Sequence, residues 1–499
     1  MKSYDETIET LNNLMKSPEM IERMRKEKAY DGERKLRNAV KFLRKNGYEL
    51  DDLNSLKAIH VTGTKGKGST CAFVESILRK CGYRTGLFTS PHLVTVRERI
   101  RINGLPLSET QLITYFWDVY NRVMANIKDE NDYPAFFTFL TIMAFDVFIK
   151  EKVDVAVIEV GIGGEYDVTN IMTKPVVVGI TSLGYDHMQI LGSTIESIAW
   201  HKSGIFKAGV PAFTVPQSYE NAMNVLKNRA EEKKCPLFVC PPLTEYKTEN
   251  NTPLVLSVDG KVQHLNASLA LQLCNVWIQK DLCIMNGIAH SSNTLHAKAF
   301  EVNNRQLKGL RECKWPGRCQ MLIKDRIYYF LDGAHTKESI RHCIDWFMHS
   351  SQKFSIDKKV CRVLIFNCTG QRDVHSLLEP LLDGNFDLAL FTTNNVNIQE
   401  SKSCEMTNFN VDQSKIMINV DNNSDSWRIL MLERKKSHSC IVKKFACISE
   451  VINWLNDKSE EKPASFANAD CIHLLATGSF HLIGGVLSVI DPELKASMA

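Results

Sequence analysis

No stretch of this 499-residue sequence offers the roughly 20 consecutive apolar residues that a bilayer span requires. The most lipid-like run, Ala135 to Ile149, is broken by Thr138, Thr141 and Asp146, and reads as a core helix. Charge of one sign is scarce as well. Lys and Arg number 61 against 57 Asp and Glu, a formal +4 with no extended basic run, so neither nucleic acid nor a membrane is expected as an obligatory partner. Cysteine pairs at the short spacings of zinc or haem sites are missing. The 15 cysteines are odd in number and scattered singly, as reduced and mostly buried thiols of a cytosol-like compartment would be. Acids among the first residues argue against a secretory or transit leader. Cytoplasmic placement is therefore expected, a mitochondrial form requiring a leader outside this sequence. With 44% hydrophobic and 24% charged residues, the composition excludes wholesale disorder.

What is present is alternation of strand and helix. Lys57 to Thr62 reads as a strand, Gly63 to Gly68 as a glycine loop and Ser69 to Cys81 as a helix with Phe73, Val74, Ile77 and Leu78 at helical spacing. Val153 to Val160 and Val176 to Ser182 are near-continuous apolar strands of the kind that crossover helices bury on both faces. A second alternation follows, with strands at Ile327 to Leu331, Cys361 to Phe366, Leu388 to Thr392 and Ile472 to Ala476. These patterns predict an α/β protein with a larger parallel-sheet domain over 1–312 and a smaller α/β domain over 313–499. The polar stretch Asn286 to Gln306 reads as a linker, and Gln399 to Ser439, with little periodicity, as a surface insertion.

The strongest chemical signal is His60-Val-Thr-Gly-Thr-Lys-Gly-Lys-Gly-Ser-Thr70. Glycines at 63, 66 and 68 let backbone amides face an anion, the helix start offers free N–H groups, and Lys67 adds a point charge for phosphate oxygens. A glycine-rich turn with an incidental lysine is the plainer reading, but the strand before and helix after favour a phosphate cradle. Gly68 separates the lysine from Ser69, unlike the common P-loop, so another hydroxyl must reach a metal. Ser90, in Thr89-Ser-Pro-His92, is the candidate, although Ser-Pro alone is a common turn. An acid at the end of an apolar strand is costly to desolvate without a cation, which makes Glu159 a natural ligand for magnesium held by nucleotide phosphates. Asp186 and His187 follow the third strand at the same edge. Ser193 to Glu196 reads as a capping box opening a helix that Gly204 closes, with Lys202 in its last turn complementing the dipole. In the second half, Arg318 of Trp315-Pro-Gly-Arg318 is suited to phosphate, and Asp332 to a ribose hydroxyl.

Taken together these blocks, with Ile198-Ala-Trp-His-Lys-Ser-Gly-Ile-Phe-Lys207 and Thr477-Gly-Ser-Phe-His-Leu-Ile-Gly-Gly485, resemble the folylpolyglutamate synthases of animal type, within the Mur-ligase-like family of ATP-dependent amide-forming enzymes. The resemblance implies an N-terminal P-loop-type ATPase domain, a smaller C-terminal Rossmann-like domain, and a cleft closing over ATP, a reduced folate and L-glutamate. By match, Thr64, Lys65, Gly66 and Lys67 cradle phosphates, while Ser90, Glu159 and His187 hold magnesium. Asn266, Arg318 and Asp332 contact ATP from the other side. Lys67, Glu159, His187 and Lys202 form the catalytic set, Lys202 matching a lysine that is carbamylated in bacterial relatives. A monovalent cation such as K+ and a monomeric state complete the expectations. Val262 and Thr336 depart from common family residues, and Phe136, Phe137 and Phe139 match an aromatic run near the folate pocket, though at least two of them suit core packing. Two other readings share these residues: a Mur-like ligase or dihydrofolate synthase with a different acceptor, and a nucleotide-binding interaction protein without catalysis. No base for the incoming amine is evident.

Overall fold

A computed structural model describes residues 2–15, 32–125, 127, 133–249, 253–257, 260–279, 295–368, 372–398, 405, 416–434, 440–457, 459 and 461–498. Residues 16–31, within a sequence that reads as helical from about Met1 to Arg44, the start of the linker at Asn286 and about half of 399–439 lie outside them. The chain opens with helices α1 (Tyr4–Asn12) and α2 (Gly32–Lys45). Then come β1 (Ile59–Thr62), α3 (Lys67–Lys80), β2 (Thr85–Phe88), β3 (Ile100–Ile102), β4 (Leu105–Pro106), α4 (Glu109–Met124) and α5 (Phe136–Lys150). They are followed by β5 (Val155–Glu159), β6 (Val177–Ile180), α6 (Met188–Leu191), α7 (Ile195–Lys202), β7 (Ala212–Thr214), α8 (Glu220–Glu232) and β8 (Leu237–Val239). After β9 (Lys247–Thr248), α9 (Lys261–Gln279) returns across the sheet, and β10 (Leu295–His296), β11 (Glu301–Val302) and α10 (Asn304–Arg311) end this half.

Nine of these strands form one sheet in the order β10-β8-β7-β6-β1-β5-β2-β3-β4, parallel except where β3 and β4 turn back at the edge. β1 lies between β5 and β6, in a register that pairs Val61 with both Glu159 and Gly179. The ends of the three central strands therefore reach the same carboxyl edge, where ligands bind in open α/β sheets. Apolar runs do this because both faces are covered. Phe139, Met143 and Phe145 of α5 pack on one side, and Phe73, Val74 and Ile77 of α3, with Leu269 and Leu273 of α9, on the other.

The second half contains β12 (Gln320–Lys324), β13 (Ile327–Leu331), α11 (Lys337–Lys353), β14 (Val360–Phe366), α12 (Val374–Leu378) and β15 (Leu388–Phe391). It continues through α13 (Ile416–Glu433), β16 (Ile441–Lys444), α14 (Ile448–Asn456), α15 (Ala464–Ala467), β17 (Cys471–Thr477) and α16 (Phe480–Ile490). Its sheet runs β12-β13-β17-β14-β15-β16, parallel apart from β12. The fold is thus α/β in both halves.

Three local expectations need correction. The stretch expected to be a surface insertion contains α13, whose Val420, Trp427 and Leu430 sit in the core, Trp427 only 1% exposed. Its inward stripe also includes the small polar residues Asn423 and Ser424, which hid the period. The helix after the glycine loop starts at Lys67 with Gly66 as its cap, two residues before Ser69. Thr194 rather than Ser193 caps α7, accepting from Ser197 N at 3.1 Å, and Gly204 lies hard against the Glu165 backbone, where any side chain would collide.

Candidate active site

The glycine loop is held by its neighbours before any ligand arrives. Thr64 N and Lys65 N donate to the Ser182 carbonyl at 2.9 and 3.2 Å, and the Thr64 hydroxyl donates to the Gly184 carbonyl at 3.1 Å. Gly66 has φ +92°, and a Cβ placed there would lie 2.2 Å from Asn266 Oδ1; a Cβ on Gly68 would lie 2.9 Å from the Trp315 ring. Only glycine meets both conditions at Gly66. The concave loop therefore presents the first amides of α3 to the cleft, with Lys67 on the first turn.

Glu159 ends β5 at that edge, 4% exposed, and accepts the Ser90 amide at 3.0 Å. Burial pushes its carboxyl up, while Lys67, the Ser90 amide, Arg318 and Arg99 hold it down. One carboxyl group thus feels a lysine of the loop and an arginine from the other half. His187, at φ +51°, is kept below the usual imidazole range by burial, against the pull of Asp186. It is consequently neutral and able to coordinate. A carboxylate oxygen, a hydroxyl and an imidazole nitrogen are donors magnesium accepts, and the shell they leave open is what phosphates and water fill. Among the described residues no three His, Cys, Asp or Glu side chains form a cage by themselves. The donor set fits an ion brought by a nucleotide.

Lys202 is 3% exposed and donates to the Gly63 carbonyl at 2.7 Å. Burial, then the charge of Lys67, drives its amine well below the ordinary lysine range. Lys65 reaches away from the loop: its Nζ lies 2.9 Å from Asp186 Oδ2 and 2.9 Å from His335 Nε2. The other nitrogen of His335 lies 2.8 Å from the Gly333 carbonyl, which can only accept, so Nδ1 carries the ring proton and Nε2 accepts the hydrogen bond that Lys65 donates. This bridge joins the two halves across the cleft, and pairing alone did not reveal it in the sequence. Arg318 stacks on Phe480 at 4.5 Å, beside Gly333. Asp332 already accepts from Cys319 N at 2.8 Å and Ala334 N at 2.9 Å, so it shapes the turn that carries His335.

Asn266 is placed differently from expectation. It sits on α9, on the loop's own side of the cleft and against Gly66, because α9 packs along α3. Its Nδ2 donates to Gln263 at 2.9 Å, whereas its buried Oδ1 has no hydrogen-bond partner among the described residues. Trp315 and Phe480 were not singled out as site residues. Their role depends on where the second half folds back, which periodicity does not report.

Burial holds the imidazoles of His60, His92 and His335 at about 3. Unfolded imidazoles titrate near 6.5, so below that pH the unfolded chain binds more protons. Stability is fully present above about pH 6.5 and falls towards pH 3, by about 1.4 kcal/mol per pH unit for each ring. Denaturant unfolding at pH 7 and pH 5 is expected to differ by several kcal/mol. Equal stability at the two would contradict the burial of neutral rings.

Residues 61–252 match the family described as the Mur ligase middle domain. The chain is 40% identical to the mitochondrial folylpolyglutamate synthase of Bos taurus, over 99% of this chain and 93% of that one. Its fold is similar to the folylpolyglutamate synthase of Thermotoga maritima, with 25% identity and a TM-score of 0.65 over 93% of this chain and 95% of that one. An FPGS solved as a complex with AMPPCP and folate is 22% identical, with a TM-score of 0.64 over 98% of this chain and the whole of that one. Given a relative so close over nearly its whole length, the chain belongs to the folylpolyglutamate synthase family.

Proposed function

We propose that the chain, acting as a monomer, joins L-glutamate in γ-linkage to a reduced folate or folylpolyglutamate at the expense of ATP. The observation that carries this reading is the convergence of Lys67, Glu159 and Arg318 on one sheet edge, in a chain 40% identical to a protein named folylpolyglutamate synthase. A carboxylate is a poor electrophile, since its leaving group would be oxide. In the proposed reaction the folate γ-carboxylate attacks the γ-phosphorus of ATP, releasing ADP and forming an acyl phosphate. The amine of glutamate then attacks the carbonyl carbon and phosphate leaves, keeping the former carboxylate oxygen. Loop amides and Lys67 hold the transferring phosphoryl group, and Arg318 adds positive charge from the facing side. The Lys65–His335 bridge keeps the halves together, excluding water from the acyl phosphate. Magnesium, held through Ser90, Glu159 and His187, would neutralise phosphate charge.

Labelled glutamate should pass onto tetrahydrofolate. If the folate γ-carboxylate carries heavy oxygen, one labelled oxygen should appear in inorganic phosphate. Transfer only to dihydropteroate would assign a dihydrofolate synthase, and unlabelled phosphate would rule out the acyl phosphate. Running the assay with and without potassium tests that cation too, an unchanged rate removing it.

The buried amine of Lys202 is a natural nucleophile for carbon dioxide: its lone pair attacks the carbon and one proton leaves, giving a carbamate. Labelled bicarbonate should produce a carbamate signal in active protein, and its absence there would remove this modification. The described cysteines are free thiols, and no helix among the described residues is long and apolar enough to cross a membrane. The Bos taurus relative is named mitochondrial; cytosolic placement of this chain belongs to the proposal.

A further inference from the structure

Glu405 belongs by sequence to the second half, yet its side chain is held by the first. Oε1 accepts from the Tyr4 hydroxyl at 2.9 Å, and Oε2 accepts from the Thr95 hydroxyl at 2.9 Å and from Val96 N. Val96 opens a short helical turn over Val96–Arg99 that Thr95 caps, so the carboxylate takes an amide for which the turn itself has no acceptor. Arg97 Nε donates to the Tyr4 and Thr95 oxygens at 3.2 and 3.1 Å, which turns both hydroxyl protons towards Glu405. Burial pushes the Glu405 carboxyl up, while Val96, Tyr4, Thr95 and Arg97 hold it down. The Glu405 carbonyl makes a further contact. His92 Nε2 lies 2.9 Å from it and donates, because the other ring nitrogen accepts from Arg99 Nε at 2.8 Å.

Apart from Tyr4, these contacts fall on one segment, and both of its ends stand at the active site. Ser90 N donates to Glu159 at 3.0 Å, Thr89 N donates to the Arg99 carbonyl at 3.0 Å, and the charge of Arg99 bears on the Glu159 carboxyl. Midway between them Leu93, 4% exposed, sits in the core of the second half with Leu331 and Ile483. The 90–99 segment is thus a piece of the first half whose packing and hydrogen bonds come from the second. A carboxylate that accepts from a helix start, a cap and a turn at once sets their spacing, because its loss leaves those donors without an acceptor.

We propose that Glu405 is a positioning residue for ligation: from the second half it fixes the 90–99 segment so that Ser90 and Arg99 stand at Glu159. It acts through that segment and not through the phosphate cradle. Its effect on turnover rests on the ligase reading, whereas its hold on the segment does not.

Hydrogen exchange and steady-state kinetics of Glu405→Ala and Glu405→Gln, each in the full chain, test this. In Glu405→Ala the amides of 93–99 should exchange at least tenfold faster, while those of α3 stay as slow as in the unchanged chain. Its kcat for folate-dependent ADP release should fall at least tenfold, with KM for ATP within threefold because the loop amides and Lys67 are untouched. Glutamine keeps an oxygen for Val96 N and an amide that either hydroxyl can accept, so Glu405→Gln should recover kcat to within threefold. The proposal is overturned if exchange over 93–99 is unaltered in Glu405→Ala, if it quickens equally in α3, if kcat is unaltered or the loss is confined to KM for ATP, or if the two variants lose kcat equally. Absence of turnover in the unchanged chain would instead sink the ligase reading, and exchange would then decide whether Glu405 holds the segment.

Discussion

Glu159→Gln is expected to lower kcat/KM for folate-dependent ADP release by about 10³-fold, with the unfolding temperature held within a few degrees. The amide has the volume of the carboxylate and can still accept the Ser90 N–H at 3.0 Å. It also relieves the burial that pushes the carboxyl up, so the fold has little to lose. What disappears is the negative charge facing Lys67 and the ion. Asp146→Asn is the contrast. That carboxylate is fully buried on α5, accepts from Tyr48, Asn46 and Arg122, and pairs with Lys150, away from the loop. Its loss should reduce stability by about 3 kcal/mol and leave kcat/KM nearly unchanged in the folded protein. Parallel losses of stability and activity in Glu159→Gln would contradict a role at the ion.

Gly66→Ala should raise the KM for ATP by about 100-fold. Two penalties add: left-handed backbone costs a residue with a Cβ about 1–2 kcal/mol, and the new methyl would sit 2.2 Å from Asn266 Oδ1. The second can be relieved and the first cannot. In the cycle formed with Asn266→Ala, the double variant should therefore lose less than the two single losses combined, while staying short of the native affinity. Strict additivity would mean that Asn266 does not confine the loop.

The legible parts of this molecule were those set by short-range pattern. β1, the loop and α3 were readable because an apolar strand, three glycines and a helical stripe occur within some twenty residues of one another. Glu159 stood out as an acid ending an apolar run, and its register beside Val61 puts it at the loop. Long-range placement was harder. Asn266 was assigned to the wrong wall because nothing in Gln263-His-Leu-Asn266 says that α9 crosses back over α3. Trp315 drew notice only as part of the run that carries Arg318, and nothing local says that its ring reaches Gly68, some 250 positions earlier. Lys65 looked like one more phosphate ligand, and its bridge to His335 exists only when the two sheets face each other. Helix α13 was missed for a different reason: its buried face includes Asn423 and Ser424, polar residues that mask a helical period.

A crystal structure with a non-hydrolysable ATP analogue and magnesium is the most direct measurement of all this. The phosphates should lie on the amides of 64–67, with the ion in contact with Glu159 and the Arg318 guanidinium on the opposite side of the phosphate chain. A nucleotide seated elsewhere, or one whose ion is out of reach of Glu159, would contradict the shared site.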